Sequence, residues 1–91
     1  SEVKWRVPGN ARFLWKYWNE ESILFDPRSG QTHLLTESAV EVLTHLQSLP
    51  CTTSDLVDHL RKTFDFTSEN NLDNQLEAVL LHWDEIGLVE T

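Results

Sequence analysis

The stretch ILFDPRSGQTHLL, residues 23–35, decides the fold. ILFD (23–26) has the character of a short strand. DPRSG (26–30) reverses the chain, because Pro27 presets φ and Gly30 accepts positive φ. QTHLL (31–35) then returns as another strand. A strand bound for a hydrophobic sheet has no need of the polar run Gln31-Thr32-His33. Upstream, RFLWKYW (12–18) alternates, with Phe13, Trp15 and Tyr17 on one face and Leu14, Lys16 and Trp18 on the other. Aromatics at period two mark a strand. NEES (19–22) is a polar turn. The three runs predict an antiparallel meander with strands over 12–18, 23–26 and 31–35. The third strand is then an edge. VKWRV (3–7), closed off by Pro8-Gly9, is a further strand or an arm.

Beyond Thr36 the apolar period changes to 3.6. Thr36 is an N-cap followed by Glu37 in the first turn, and Ala39, Val42, Leu43 and Leu46 form a stripe over a helix at 37–48. Thr52 with Asp55 makes a capping-box pair for a helix at 53–64, whose inner face is Leu56, Val57, Leu60 and Phe64. DFTSENN (65–71) is a loop. A third helix, 70–86, starts near Ser68 or Asn70 and shows Leu72, Leu76, Val79, Leu80 and Trp83. Gly87 is its natural stop, and Leu88-Val89 turn back onto the core. The order β-β-β-α-α-α predicts an α+β domain over 1–91, winged-helix-like, with the meander followed by a three-helix bundle.

Composition narrows the function. The chain has 91 residues and a net charge of −8, with acid concentrated late at Asp65, Glu69, Asp73, Glu77, Asp84, Glu85 and Glu90. That field repels phosphate. A DNA reader would insert the third helix, which carries Asp73, Glu77, Asp84 and Glu85 and no Lys or Arg. One cysteine allows no internal disulfide and fits a reducing, cytoplasmic compartment. No apolar run suits a membrane span, and no signal peptide is expected at the start.

No catalytic constellation emerges. Cys51, in LPCTT, lacks a local base and reads as a structural loop thiol. Three glycines at turns build no phosphate loop. His33, His45, His59 and His82 are scattered, and the one-turn pairs His45/Glu41 and His59/Asp55 read as surface ion pairs. The expectation is no catalytic residue, no metal and no cofactor. What remains is the edge. QTHLL carries no charge, proline or bulge to blunt it. Either KWRV or a second copy of the chain covers it, or a peptide adds a strand there.

The residues W…W-x-x-W…ILFDPRSGQTHLL, followed by short helices and a terminal EIGLVE, resemble the PqqD-like peptide chaperones, also called precursor-peptide recognition elements. The Ser29-Gly30-Gln31-Thr32-His33-Leu34-Leu35 run resembles the SG-x-TH-x-L arm of the branch associated with an HPr-kinase-like partner. The likeness spans roughly residues 5–90. It implies a winged-helix-like fold without DNA binding, and a precursor's leader peptide lying as an added strand along Gln31, Thr32, His33, Leu34 and Leu35. The groove wall would come from Leu72, Leu76, Val79, Leu80 and Trp83. It also implies that the leader is presented to a separate modifying enzyme, with no chemistry in the chain itself. The alternatives are a structural subunit or weak homodimer docked through the same edge, and a DNA-binding protein. Leu35 and His33 share one face of the third strand, Thr32 and Leu34 the other; the pattern leaves open which is core. His33 is assigned to holding the hairpin, with ligand contact as the alternative. Trp5, Trp15 and Trp18 are assigned to core and sheet packing, with a second contact surface as the alternative.

Overall fold

The computed structural model describes residues 3–64 and 71–91. The loop expected at 65–70, with the helix starts at Ser68 and Asn70, lies outside the described residues. Three strands form one antiparallel sheet in the order β1-β2-β3: β1 Leu14–Trp18, β2 Glu21–Asp26 and β3 Gln31–Leu35. Three helices follow: α1 Glu37–Ser48, α2 Thr53–Thr63 and α3 Leu72–Glu85. The fold is α+β.

Local chemistry explains each boundary. Only Asn19 and Glu20 lie between β1 and β2, and both have positive φ, 56° and 65°. That is the two-residue reversal whose twist matches paired strands, so Glu21 and Ser22 belong to β2 rather than to a longer turn. The Thr36 hydroxyl accepts from the Ala39 N–H and caps α1. Thr52 and Asp55 complete a reciprocal capping box at α2. Asn71 precedes α3 and gives no side-chain cap bond. At the other end of α3, Gly87 has φ 83°. The Leu88 N–H donates to the Trp83 carbonyl at 2.8 Å and the Gly87 N–H to that of Asp84 at 3.3 Å, a Schellman closure. Leu88 and Val89 consequently fold back into the core, where both are buried.

The core joins Leu24 of the sheet to Val42, Leu43 and Leu46 of α1, Leu56 and Leu60 of α2, and Leu76, Leu80 and Trp83 of α3. Residues 5 and 6 form an arm, not a cover for β3. Trp5 exchanges backbone bonds with Cys51 (2.7 and 3.0 Å) and Arg6 with Glu90 (2.9 and 2.8 Å). The Trp5 indole is buried and its N–H donates to the Thr53 hydroxyl, which donates to Glu77 Oε2. Trp15 and Trp18 depart from the packing role expected of them, because both lie exposed on β1.

One polar pair sits inside this frame. Asp26 is fully buried at the end of β2. Arg28 grips it with Nε to Oδ1 (3.1 Å) and Nη2 to Oδ2 (2.9 Å), and its backbone N–H adds a bond to Oδ1. The same Nη2 donates to the Gly87 carbonyl at 2.8 Å, and Nη1 to Asn10 Oδ1 at 3.3 Å. The β2–β3 hairpin is thus clasped to the end of α3. Hydrogen bonding to Arg28 holds the Asp26 carboxyl below its ordinary range, against the opposing effect of burial. A depressed folded pKa contributes stability above the unfolded value of about 3.9 and loses it as pH falls through the folded value. We predict that Arg28→Met costs roughly 3 kcal/mol at pH 7, because it strands a buried charge. The sign of the pH dependence at this site should also reverse. Asp26 without its partner has a raised pKa, so the variant regains stability on acidification from pH 7 to pH 5, where the parent chain does not. Urea unfolding at the two pH values checks both.

Candidate functional site

β3 pairs with β2 through Ser22↔Leu35, Leu24↔His33 and Asp26↔Gln31, with Ile23↔Leu34 and Phe25↔Thr32 between them. No strand among the described residues lies on its other side. Hydrogen-bonded and non-bonded pairs alternate in antiparallel sheets. The two-residue reversal makes Trp18 and Glu21 a bonded pair. Counting from it, Gln31, His33 and Leu35 turn their backbone groups to β2, while Thr32 and Leu34 point theirs outward. The edge therefore offers two N–H and two C=O groups at two-residue spacing.

The faces are now assigned. Leu35 packs against the core and His33 is half-buried, both on the Leu24 side. Thr32 and Leu34 face out, Leu34 being 67% exposed. The His33 Nε2 is buried and has no hydrogen-bond partner, so that atom does not hold the hairpin. The clasp of Arg28 on Asp26 does so instead.

Beside the C-terminal end of β3 lies a mostly apolar hollow of about 170 Å³. One wall is α3, with Leu72, Gln75, Leu76, Val79 and Trp83. The other is the start of α1, with Thr36, Ser38, Ala39 and Val42, and Leu60 of α2 completes the lining. Four of the five α3 residues expected in a groove meet here. Leu80 does not: it is fully buried and offers no surface. None of Gln31–Leu35 lines the hollow either, and β3 and α3 do not pack on each other, since α1 is the helix that meets β2 and β3. The second wall is not legible in the sequence, because the apolar stripe of α1 that contains Ala39 and Val42 does not tell which part of it faces α3 across a gap. The small residues Ser38 and Ala39 in its first turn are the one hint of it. Leu34, Leu35 and Thr36 border a separate shallow hollow with Glu20, Glu21 and Glu37.

Other candidate chemistry is structural. Cys51 is buried, and burial pushes its thiol pKa up, away from reactivity. Glu41 pairs with His59 of α2 at 2.9 Å rather than with His45 of its own helix, and the rings of His45 and His59 stack at 4.1 Å. The helical spacing had suggested within-helix pairs; the α1–α2 packing brings the three together instead. No group of side chains among the described residues has the arrangement of a metal site. No helix among them is long and apolar enough to cross a membrane.

The model of one protein family, described as Coenzyme PQQ synthesis protein D (PqqD), matches residues 21–89, from β2 to the buried segment after α3. No curated protein matches the chain, and no solved structure does.

The hollow's wall and the core behind it should separate by mutation. Val79 is 39% exposed. We expect Val79→Lys to leave the thermal midpoint within about 3 °C, since exposed sites change stability by ~0.5 kcal/mol. Leu80→Ala should cost about 2–5 kcal/mol and lower the midpoint by roughly 10 °C or more. Differential scanning calorimetry distinguishes them.

Proposed function

The chain belongs to the PqqD family, and on that premise we propose that it is a non-catalytic peptide-binding module. It captures the leader of a ribosomally made precursor by strand addition along β3 and presents it to a separate modifying enzyme. The observation that carries this reading is the free outer edge of β3 ending beside the apolar hollow between α1 and α3.

The energetics suit a carrier. Thr32 and Leu34 supply four ladder bonds, each contributing about 0.5–1.5 kcal/mol net. An apolar leader side chain lodged against Leu76, Val79 and Trp83 adds about 25 cal/mol per Å² buried. Ordering a disordered leader offsets much of this. The balance is a dissociation constant in the micromolar to high-nanomolar range, tight enough to capture a peptide and loose enough to release it. The partner that receives the leader is, on the likeness of the Ser29–Leu35 arm, an HPr-kinase-like enzyme. A winged-helix-like arrangement is part of the same reading, but the exposed acids Asp73, Glu77, Asp84 and Glu85 of α3 oppose any use of it on DNA.

The test uses a synthetic peptide spanning the leader of a short precursor encoded beside this chain. Added to isotope-labelled protein, it should shift the amides of residues 31–35 and 72–83 together. Shifts confined to other elements would refute the site. Thr32→Pro removes one outward donor without touching the β2 ladder, so it should weaken binding roughly three- to tenfold while the fold persists.

A further inference from the structure

The opposite edge of the sheet poses a different problem. All five residues of β1, LWKYW, are exposed. Their aromatic and aliphatic side chains emerge on both faces: Trp15 and Tyr17 on the helix side, Leu14 and Trp18 on the outer side. Tyr17 is 71% exposed and Trp18 63%. Packing against one face alone would leave half of this surface wet. A strand pairing with β1 places cross-strand neighbours beside the side chains of both faces at once, and in the hydrogen-bond alternation of the sheet Trp15 and Tyr17 point their backbone groups away from β2. β1 lies outside the residues matched by the family model.

We propose that β1 pairs antiparallel with β1 of a second copy of this chain. The result is a two-fold dimer with a continuous six-stranded sheet. Three observations select this occupant. First, charge is divided along the chain. Residues 1–36 carry five basic and four acidic side chains, whereas residues 37–91 carry two and eleven, giving −8 overall. Joining two copies at β1 brings the near-neutral parts together and keeps α2 and α3, which carry more of the acid than α1, away from the seam. Second, α1 leaves a hollow of about 340 Å³ beneath β1, lined by Trp15, Lys16, Tyr17, Ser22, Val40 and Thr44, and in this dimer it receives aromatic rings of the second copy. Third, the area is sufficient for weak association. Aromatic side chains present ~150–250 Å² each, so the exposed parts of Trp15, Tyr17 and Trp18 with Leu14 offer on the order of 400 Å² per copy. Two copies reach only about 800 Å², below the range of stable interfaces, which is the size of a weak and transient association.

Register follows from the same geometry. Two-fold pairing about Lys16 would set like charges directly opposite, which is unfavourable. Pairing about Tyr17 would oppose Trp15 to Asn19, whose positive φ ends the strand. Pairing about Trp15 sets the two Trp15 rings together, Tyr17 against Phe13 of the second copy, and Leu14 against its Lys16. The Lys16 ammonium already lies along the strand, 5.5 Å from the Trp18 ring centre, rather than out from the edge. In this dimer both β3 edges stay open at the far ends, so the inference stands apart from the peptide reading.

Sedimentation velocity on the 91-residue chain from about 10 µM to about 1 mM tests it. The mass should rise reversibly from 10.6 kDa toward twice that, with a dissociation constant on the order of 100 µM. Amide shifts on dilution should centre on 14–18 and spare 31–35. Tyr17→Lys, at a solvent-facing position, should raise the dissociation constant about tenfold or more. Leu34→Lys on the outer face of β3 should change it less than about twofold. A chain monomeric throughout, dilution shifts centred on β3, or a Tyr17→Lys variant that dimerises like the parent would each overturn the proposal. Monomeric behaviour would assign the aromatic strand to a different protein.

Discussion

The bidentate grip of Arg28 on the buried Asp26 is the constraint on which the rest of this structure depends. Burying a carboxylate is costly unless its charge is paired and its lone pairs are filled. Here one guanidinium does both, then uses a remaining hydrogen to reach the Gly87 carbonyl at the end of α3. Hairpin and helix end are thereby held in one arrangement. The Schellman closure at Gly87 acts from the other side, returning Leu88 and Val89 to the core beneath. The position of β3 relative to α3 therefore follows from a four-residue reversal and a helix stop, not from direct contact between the two elements.

From that arrangement two unlike edges emerge. β3 shows outward backbone groups and few apolar side chains, and it ends beside a hollow walled by α1 and α3. β1 shows aromatics on both faces above a second hollow. An edge strand is a hazard that proteins usually blunt. On the proposed reading the bare rim of β3 is where a disordered peptide orders itself, and the aromatic rim of β1 is where a second copy of the chain docks. The tryptophans divide accordingly. Trp5 and Trp83 are core, whereas Trp15 and Trp18 are not.

Much of the fold was legible because local and tertiary demands agree. Thr36, Thr52 and Gly87 each terminate a helix by short-range chemistry, and each does so in the structure. The alternation of 12–18 and the Pro27–Gly30 reversal likewise needed no distant residue. What stayed hidden was set by packing across elements. No periodicity pairs Glu41 with His59 in place of His45, or places Ser38 and Ala39 opposite Val79. Leu80 illustrates the limit: it falls on the same helical stripe as Val79, yet one faces the core and the other the hollow, and the difference is a rotation that only the neighbouring helices determine. Arg28 was read merely as part of a turn, since its reach to Gly87 spans the whole helical half of the chain.

The central claim is that the outward amides of Thr32 and Leu34 are unpaired until a leader strand arrives. Amide hydrogen exchange at those two positions measures this most directly. The account predicts rapid exchange in the dilute free protein, alongside protected His33 and Leu35, and strong protection of Thr32 and Leu34 once the leader is bound. Protection of Thr32 and Leu34 in the free protein, or continued rapid exchange in a saturated complex, would contradict it.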